Sequence, residues 1–598
     1  MRPYISWRGA AVETLRCFTL GRVLTALVTV LLSVTFSLAD DRPPNVVIIV
    51  VDALRPDHLG CYGYGRPTSP HIDEIAASGV RFETAITQAP WTKGSFSTIL
   101  TSRYPFQHGV TNWSAVMPDT LVTLPEILAS KGYHTMFVIN MIGMTGRFGV
   151  LRGFDEVSEA EKYERNAVQT TEDATAMMQA APEPYFLIIH YYDAHAPYHP
   201  PMAYVDRVSG DLDVNKLIQD GRGDSDAARK ARTEKKILFY DGCIRYVDDE
   251  IARLVEFLRE SGTYDNTVLV VIADHGEALG DRDIFGHGAE AYDDVAKVPL
   301  VLGWPARFSG GRTVKEQVRL FDLHPTVLEI AGIDDYPPGE AVSLLPLLEN
   351  GVREAAPGSF LPADVAMCDC TNREVPGKIA LRTSQWKLII EPLTQLVELY
   401  NLKDDPGETV NVWGGGVPMG DSLLALVSRV PASHPEGWRV ALTSGETGRD
   451  FAARVGLASG ARFRSVGRLA RIEKNLSVTL ADDSTSFDLE TSVGGWQMVL
   501  FSVEPGDAAV SFEIMAAGEG APVSGSVGRA GSMPLGVPVT LRAQDAAGLP
   551  RDFESARLSD KQGAFVWWFP GDRTTHIGPD RGLTPEEKQR LKALGYIH

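Results

Sequence analysis

Four short runs of consecutive apolar residues, rich in β-branched side chains, each stop on a polar one: 46–51 at Asp52, 135–139 at Asn140, 185–189 at His190 and 268–273 at Asp274. Runs without alternation suit strands buried on both faces, which predicts a parallel sheet covered by helices. Helical periodicity lies between them, at 69–77 and at 240–258, the second with acidic residues and Arg interleaved. Strand–helix–strand alternation of this kind predicts an α/β fold with a doubly wound, mainly parallel sheet. Ligands of such sheets gather at the carboxyl ends of the strands. Asp52 and the Asp274-His275 pair are therefore expected to meet, although far apart in sequence.

After Gly414 the pattern changes to short alternating runs (476–480, 486–489, 496–503, 509–515, 537–542) broken by Gly, Asp and Pro, the texture of an all-β module. The chain closes on Thr584-Pro585-Glu586-Glu587, a capping box with Pro at the first helical position. At the other end, Arg2, Arg8, Arg16 and Arg22 precede the apolar run 23–38, and Ser37-Leu38-Ala39 precede Asp40 and Asp41. That is the three-part pattern of a secretory signal cleaved after Ala39, with an uncleaved membrane anchor as the alternative. It predicts export to a periplasmic or extracellular location.

Charge narrows the partners. The 598 residues carry 57 Lys and Arg against 77 Asp and Glu, a formal net charge of −20. Such a surface repels phosphate backbones and anionic lipid, so nucleic acid is excluded as an expected partner. Cys61, Cys243, Cys368 and Cys370 remain after the N-terminal segment. They are too few for a disulfide framework, and Cys368-Asp369-Cys370 is too tight for a structural zinc pair. They read as structural.

The chemistry concentrates in three places. Asp52 lies in V-D-A-L-R-P-D-H-L-G-C-Y-G and Asp274-His275 in A-D-H-G-E-A-L-G. Two carboxylates and an imidazole at strand ends form a mixed O/N site for a divalent cation, manganese, zinc or calcium, the histidine favouring the first two. Between those motifs, A-P-W-T-K-G-S-F-S-T-I-L-T-S-R-Y-P-F-Q-H-G puts Thr92 at the start of a helix. Free N–H groups and the helix dipole there favour an oxyanion. The Thr92 hydroxyl is either a helix cap or a nucleophile that needs a base or a metal to ionise it.

From about Asn45 to Val412 the chain resembles the sulfatases of the alkaline phosphatase superfamily. The resemblance rests on D-x-L-R-x-D-x-L-G-x-Y-G, S-R-Y-P-x-x-H-G, H-A-P-Y at His195, D-H-G-E, and G-H-G at His287. F-D-L-H-P-T at Asp322, L-Y-N-L-x-x-D-P-G-E-T ending at Thr409, and the closing L-K-A-L-G-Y-I complete it. It implies that Asp52, Asp274 and His275 bind the metal, with the oxygen of Thr92 as a further ligand. It also implies that His195 contacts the scissile ester or helps the leaving group depart, and that His287 lies on the substrate side. His190, Asp193 and His199 stand close enough in sequence to surround such a site.

Three features depart from the family. A formylglycine sulfatase carries C-x-P-x-R or S-x-P-x-R, whereas Thr92-Lys93-Gly94-Ser95-Phe96 occupies those positions here, so no formylglycine is expected. Phe96 replaces an arginine, for which Lys93 is a partial substitute. Ala53 replaces the second acid of the usual pair. A threonine that accepted sulfate would need water attack at sulfur to turn over, while a threonyl phosphate is hydrolysed or transferred when a metal clamps it.

The sequence thus predicts a signal peptide or anchor at 1–39 and a catalytic domain at 44–350. A C-terminal subdomain at 351–412, a β-rich accessory module at 415–570 and a tail with a short helix at 571–598 follow. The expected activity is an exported metal-dependent hydrolase that cleaves a sulfate, phosphate or phosphonate ester of a small, glycan or lipid-derived molecule through Thr92. The alternatives are a two-metal phosphodiesterase in which Asp193, His195 or His287 hold another zinc, a phospho-group transferase, and a silent glycan-binding homologue.

Overall fold

A computed structural model describes residues 42–569 apart from short interior stretches, the longest of them 543–561. The N-terminal segment 1–39, Cys370 and the tail 571–598 lie outside the described residues.

The predicted apolar runs are strands of one eight-stranded sheet. In chain order its strands are β1 (Asn45–Val51), β2 (Val80–Phe82), β3 (His134–Ile139), β4 (Glu156–Glu159), β5 (Tyr185–Tyr191), β6 (Thr267–Ile272), β7 (Leu300–Gly303) and β8 (Arg312–Val314). Across the sheet they run β8-β2-β7-β6-β1-β5-β3-β4. Five of the seven neighbour pairings are parallel, and only β7 runs against its neighbours. β1, β5 and β6 are buried along their whole length, which is why their sequences do not alternate.

The helices are α1 (Pro70–Ser78), α2 (Thr92–Thr101), α3 (Ala167–Ala180) and α4 (Asp226–Glu260) among others. α4 runs 35 residues, well past the predicted 240–258. Its N-terminal half starts on the Ser225 cap, whose side chain accepts from the Ala228 N–H. Charged residues dominate that half, so no apolar stripe marks it in the sequence.

Beyond this layer, Ala366–Asp369, Ile379–Arg382, Trp386–Glu391 and Leu396–Asn401 form a four-stranded antiparallel sheet. Residues 437–569 supply a separate nine-stranded, mainly antiparallel sheet, the expected β module. Two predicted runs, 486–489 and 496–503, are one strand, Ser486–Glu504, that passes a register irregularity around Gly495. The strands Gly437–Leu457, Arg462–Ala470 and Gln562–Phe569 were not expected from the sequence.

Candidate active site

Sheet register brings the two acidic motifs together. Val50 pairs with Ile272, so two residues further on Asp52 stands across from Asp274 at the carboxyl ends of adjacent parallel strands. On the other side Val50 pairs with His190. Asp52, Asp274, His275 and His190 are all fully buried.

The chain leaves β1 by a strained turn. Ala53 has φ 58, a left-handed conformation that costs a non-glycine residue about 1–2 kcal/mol. The turn sends the Ala53 N–H to Asp274 Oδ1 (3.3 Å). The Tyr240 hydroxyl on α4 holds it there: it donates to the Ala53 carbonyl (2.8 Å) and accepts the Arg55 N–H (2.8 Å). A second acid at position 53 would have to adopt the same backbone, and this chain has the smallest chiral side chain instead.

His275 is the hub of the cluster. Its Nδ1 lies 2.8 Å from the Gly276 carbonyl, which can only accept, so Nδ1 carries a proton and Nε2 is the nitrogen open to a metal. That Nε2 faces three oxygens at 3.4 Å each: Asp52 Oδ1, Asp274 Oδ2 and Thr92 Oγ1. Asp274 Oδ2 is buried with no hydrogen-bond donor. Ligand atoms of Asp52, Asp274 and His275 all lie within 4.8 Å of one another. Two buried carboxylate oxygens and an imidazole lone pair aimed at one point repel each other unless a cation sits among them. The donor set therefore fits a divalent ion of borderline softness, with three protein ligands and the threonine oxygen alongside.

Thr92 is the first residue of α2, and Trp91 holds the cap position. The hydroxyl makes no capping bond and instead faces His275 Nε2 at 3.4 Å. Ser95, one turn on, donates from Oγ to the Asp274 carbonyl (2.8 Å) and ties the helix start to the strand end. Gly94 is needed for this entry, because a Cβ there would lie 2.6 Å from the Trp91 indole nitrogen. Phe96 points away into the core, where its ring meets Phe137 and the edge of His190 at centroid distances of 5.5 and 5.4 Å. Lys93, expected to replace part of the arginine's charge, is held by the protein instead. Its ammonium donates to the Trp113 carbonyl (2.8 Å) and lies 3.7 Å over the Phe148 ring.

The two histidines expected on the substrate side form a second bank beside this cluster. The His287 ring lies 4.1 Å from that of His275, and His195 lies 4.9 Å beyond His287 in an edge-to-face contact. The His195 Nδ1 meets the Ala196 carbonyl at 2.5 Å, which leaves its Nε2 as an acceptor. Burial, reinforced by the neighbouring His287, pushes His195 down to about 3, and burial pushes His287 down to about 4. Both rings rest neutral. Glu277, fully buried, accepts from His287 Nδ1 (3.1 Å) and from the Tyr198 hydroxyl (3.1 Å), and burial raises its carboxyl above the ordinary range. Sequence reasoning assigns Glu277 of D-H-G-E no role; its place two residues after His275 is the signal that could have found it.

Of the other sequence candidates, only His190 touches the cluster. His190 Nε2 sits 3.2 Å from Asp52 Oδ2, so it braces a ligand. Asp193 accepts the Ala167 N–H (3.2 Å) at the start of α3. His199 is exposed, and Asn140 exchanges hydrogen bonds with the backbone of Arg165. Among the described residues, only one other group, His71 with Asp248 and Asp249, has metal-ligand spacing. There Asp248 is already occupied by the His71 and Ile72 N–H groups and by Arg245. Among the described residues Asp193, His195 and His287 join no group of such spacing.

The sulfatase family profile matches residues 44–333, and a profile for the C-terminal region of N-sulphoglucosamine sulphohydrolase matches residues 289–417. An arylsulfatase of Clostridium perfringens is 27% identical over 380 residues, 51% of this chain and 79% of the relative. The uncharacterized sulfatase YidJ of Escherichia coli is 24% identical over 427 residues, 62% of this chain and 83% of the relative. Among solved structures, the phosphonate monoester hydrolase of Agrobacterium radiobacter superposes with a TM-score of 0.54 at 18% identity, covering 64% of this chain and 96% of that one. A protein solved with its substrate D-glucosamine-2-N,6-O-disulfate gives a TM-score of 0.56 at 19% identity, covering 65% and 96%. These two share the fold.

Proposed function

We propose, for a chain that belongs to the sulfatase family through residues 44–333, that it is a divalent-metal-dependent sulfuric or phosphoric ester hydrolase whose nucleophile is Thr92. One observation carries this reading: the Thr92 oxygen, at the N-terminus of α2, faces the same imidazole nitrogen as Asp52 and Asp274 at 3.4 Å. Asp52, Asp274 and His275 would hold the metal, which when bound lowers the pKa of a neighbouring hydroxyl and offsets charge on the ester oxygens.

The protein's own groups supply the rest. Thr92 Oγ1 attacks phosphorus or sulfur, and its proton passes to a neutral imidazole. As the ester bond breaks, that proton goes to the departing oxygen. In the second half, water attacks the ester on Thr92, its proton passes through the imidazole back to the Thr92 oxygen, and the freed sulfate, phosphate or phosphonate leaves. His195 and His287, both neutral at rest, suit this sequence of acceptor and then donor. The N-terminus of α2, at the positive end of the helix dipole, favours the anionic centre.

Phosphorus is the favoured centre, because a threonyl phosphate is hydrolysed at phosphorus whereas the formylglycine route for releasing sulfate needs a geminal diol. A sugar ester as substrate draws support from the disulfated glucosamine bound by the structural relative. The N-terminal pattern makes export part of the same proposal. The test is a panel of aryl sulfate, phosphate monoester, phosphodiester and phosphonate esters with manganese, zinc or calcium, run beside Thr92→Ala. Cleavage of at least one ester that Thr92→Ala abolishes supports the reading. Inertness toward every ester, or full activity of Thr92→Ala, overturns it.

A further inference from the structure

A buried carboxylate outside the metal cluster holds the substrate-side histidine. Residues 278–286 form a two-stranded hairpin, Ala278–Leu279 against Phe285–Gly286, that leaves the ligand motif and returns directly into His287. Backbone alone would leave the ring free to rotate about two side-chain bonds. Glu277 removes that freedom: its Oε1 lies 3.1 Å from His287 Nδ1, while Oε2 accepts the Tyr198 hydroxyl at 3.1 Å. The carboxylate is itself fixed. Its own backbone carbonyl accepts from the Arg55 guanidinium (3.2 Å), and the Tyr198 ring packs edge-on, at 5.5 Å, against Tyr240, the residue that holds the turn after Asp52.

An imidazole whose Nδ1–H donates to a carboxylate keeps its lone pair on Nε2. From these contacts we infer that Glu277 is a positioning residue for the proposed hydrolysis: it fixes His287 as the Nδ1–H tautomer and aims the Nε2 edge at the reacting ester. The inference rests on the reading of this site as an ester hydrolase. It makes Glu277 the counterpart, for the substrate-side imidazole, of what the Gly276 carbonyl does for His275. Both tautomers are then set by one continuous segment, 275–287.

The test uses the full-length chain. Glu277→Leu removes the acceptor, and Glu277→Gln keeps one through its amide oxygen. Glu277→Leu is expected to lower kcat about 100-fold with KM within about threefold, whereas Glu277→Gln holds kcat within about threefold. In His287→Ala, adding Glu277→Leu costs nothing further. Metal per chain stays at the wild-type level in each variant. Should Glu277→Leu fail to fold, nitrogen-15 histidine spectra of the wild-type protein, assigned with His287→Asn, still report the tautomer and are expected to show Nδ1 protonated. An unchanged kcat in Glu277→Leu, a Gln variant as damaged as the Leu one, multiplicative losses with His287→Ala, loss of metal, or a proton on Nε2 each overturns the inference. Tautomer and metal content are read without turnover, so they separate its failure from the failure of the hydrolase reading.

Discussion

His190 Nε2 donates to Asp52 Oδ2 across 3.2 Å, between two fully buried side chains at the ends of adjacent strands. Burial pushes His190 down to about 4, so the ring braces the carboxylate as a neutral donor and leaves Oδ1 turned toward His275. Removing such a brace typically weakens metal binding about 10- to 100-fold. His190→Ala is therefore expected to need correspondingly more metal for half-maximal activity, with most activity returning at saturation. Metal titration of activity checks this, and an unchanged midpoint would refute it.

Metal removal is expected to abolish ester cleavage and also to lower the melting temperature, because Asp52 and Asp274 are then left as buried like charges. Binding at about 100 times Kd stabilises by roughly 2.7 kcal/mol. Thermal melts with a chelator, and after return of manganese, zinc or calcium, measure the difference. Identical melts in both states would remove the metal from this site.

Restoring the formylglycine motif is expected to fail on packing. A Cβ on Gly94 would lie 2.6 Å from the Trp91 indole nitrogen, and Phe96 is packed between Phe137 and His190. Gly94→Ala should cost about 1–3 kcal/mol. Phe96→Arg should cost more, about 3 kcal/mol or above, since it buries an unpaired charge. Urea unfolding of the two variants decides; wild-type stability for either would mean that the helix entry adapts.

Tyr240→Phe tests the strained turn. It removes the hydroxyl that serves both the Ala53 carbonyl and the Arg55 N–H, leaving two buried backbone groups unsatisfied at about 1–3 kcal/mol each before relaxation. Stability should drop and metal affinity with it, because the Ala53 N–H also contacts Asp274. Denaturant melts paired with a metal titration check both, and a stability loss with unchanged metal affinity would uncouple the turn from the site.

Stability should fall on the acid side. Burial pushes His108 and His324, both outside the metal cluster, down to about 3. An unfolded histidine takes a proton near 6.5. Their contribution is thus fully present above that pH and is lost as pH falls from there toward the folded value. Each such ring adds a slope of about 1.4 kcal/mol per pH unit in the window. Unfolding free energies at several pH values between about 7.5 and 4.5 should show the decline, and His108→Gln should flatten it by about one ring's worth. A flat or rising curve toward acid would contradict the assignment.

The strands that build the site were readable because they are buried on both faces, and an uninterrupted apolar run of that length needs apolar cover on both sides. Asp52 and Asp274 could be paired for the same reason, since parallel strands that end on polar residues end at one edge. The first half of α4 was not readable, because its charged surface carries no period. The direction of Phe96 was hidden as well. Sequence shows only that an arginine is missing, whereas the folded chain packs the replacing ring against Phe137 inside the core. Glu277 stayed mute beside two stronger ligands, because a carboxylate that holds a histidine looks in sequence like any acid near a site.

β1 and β6, whose ends carry the proposed metal ligands, are neighbours in the sheet yet lie more than 200 residues apart along the chain. Until β6 pairs with β1, Asp52 faces no partner carboxylate and β1 lacks one of its two flanking strands. The ligand set proposed for a cation is therefore complete only in a sheet that is already assembled. On the proposed reading, metal uptake would come at the end of folding in this domain rather than guide its beginning.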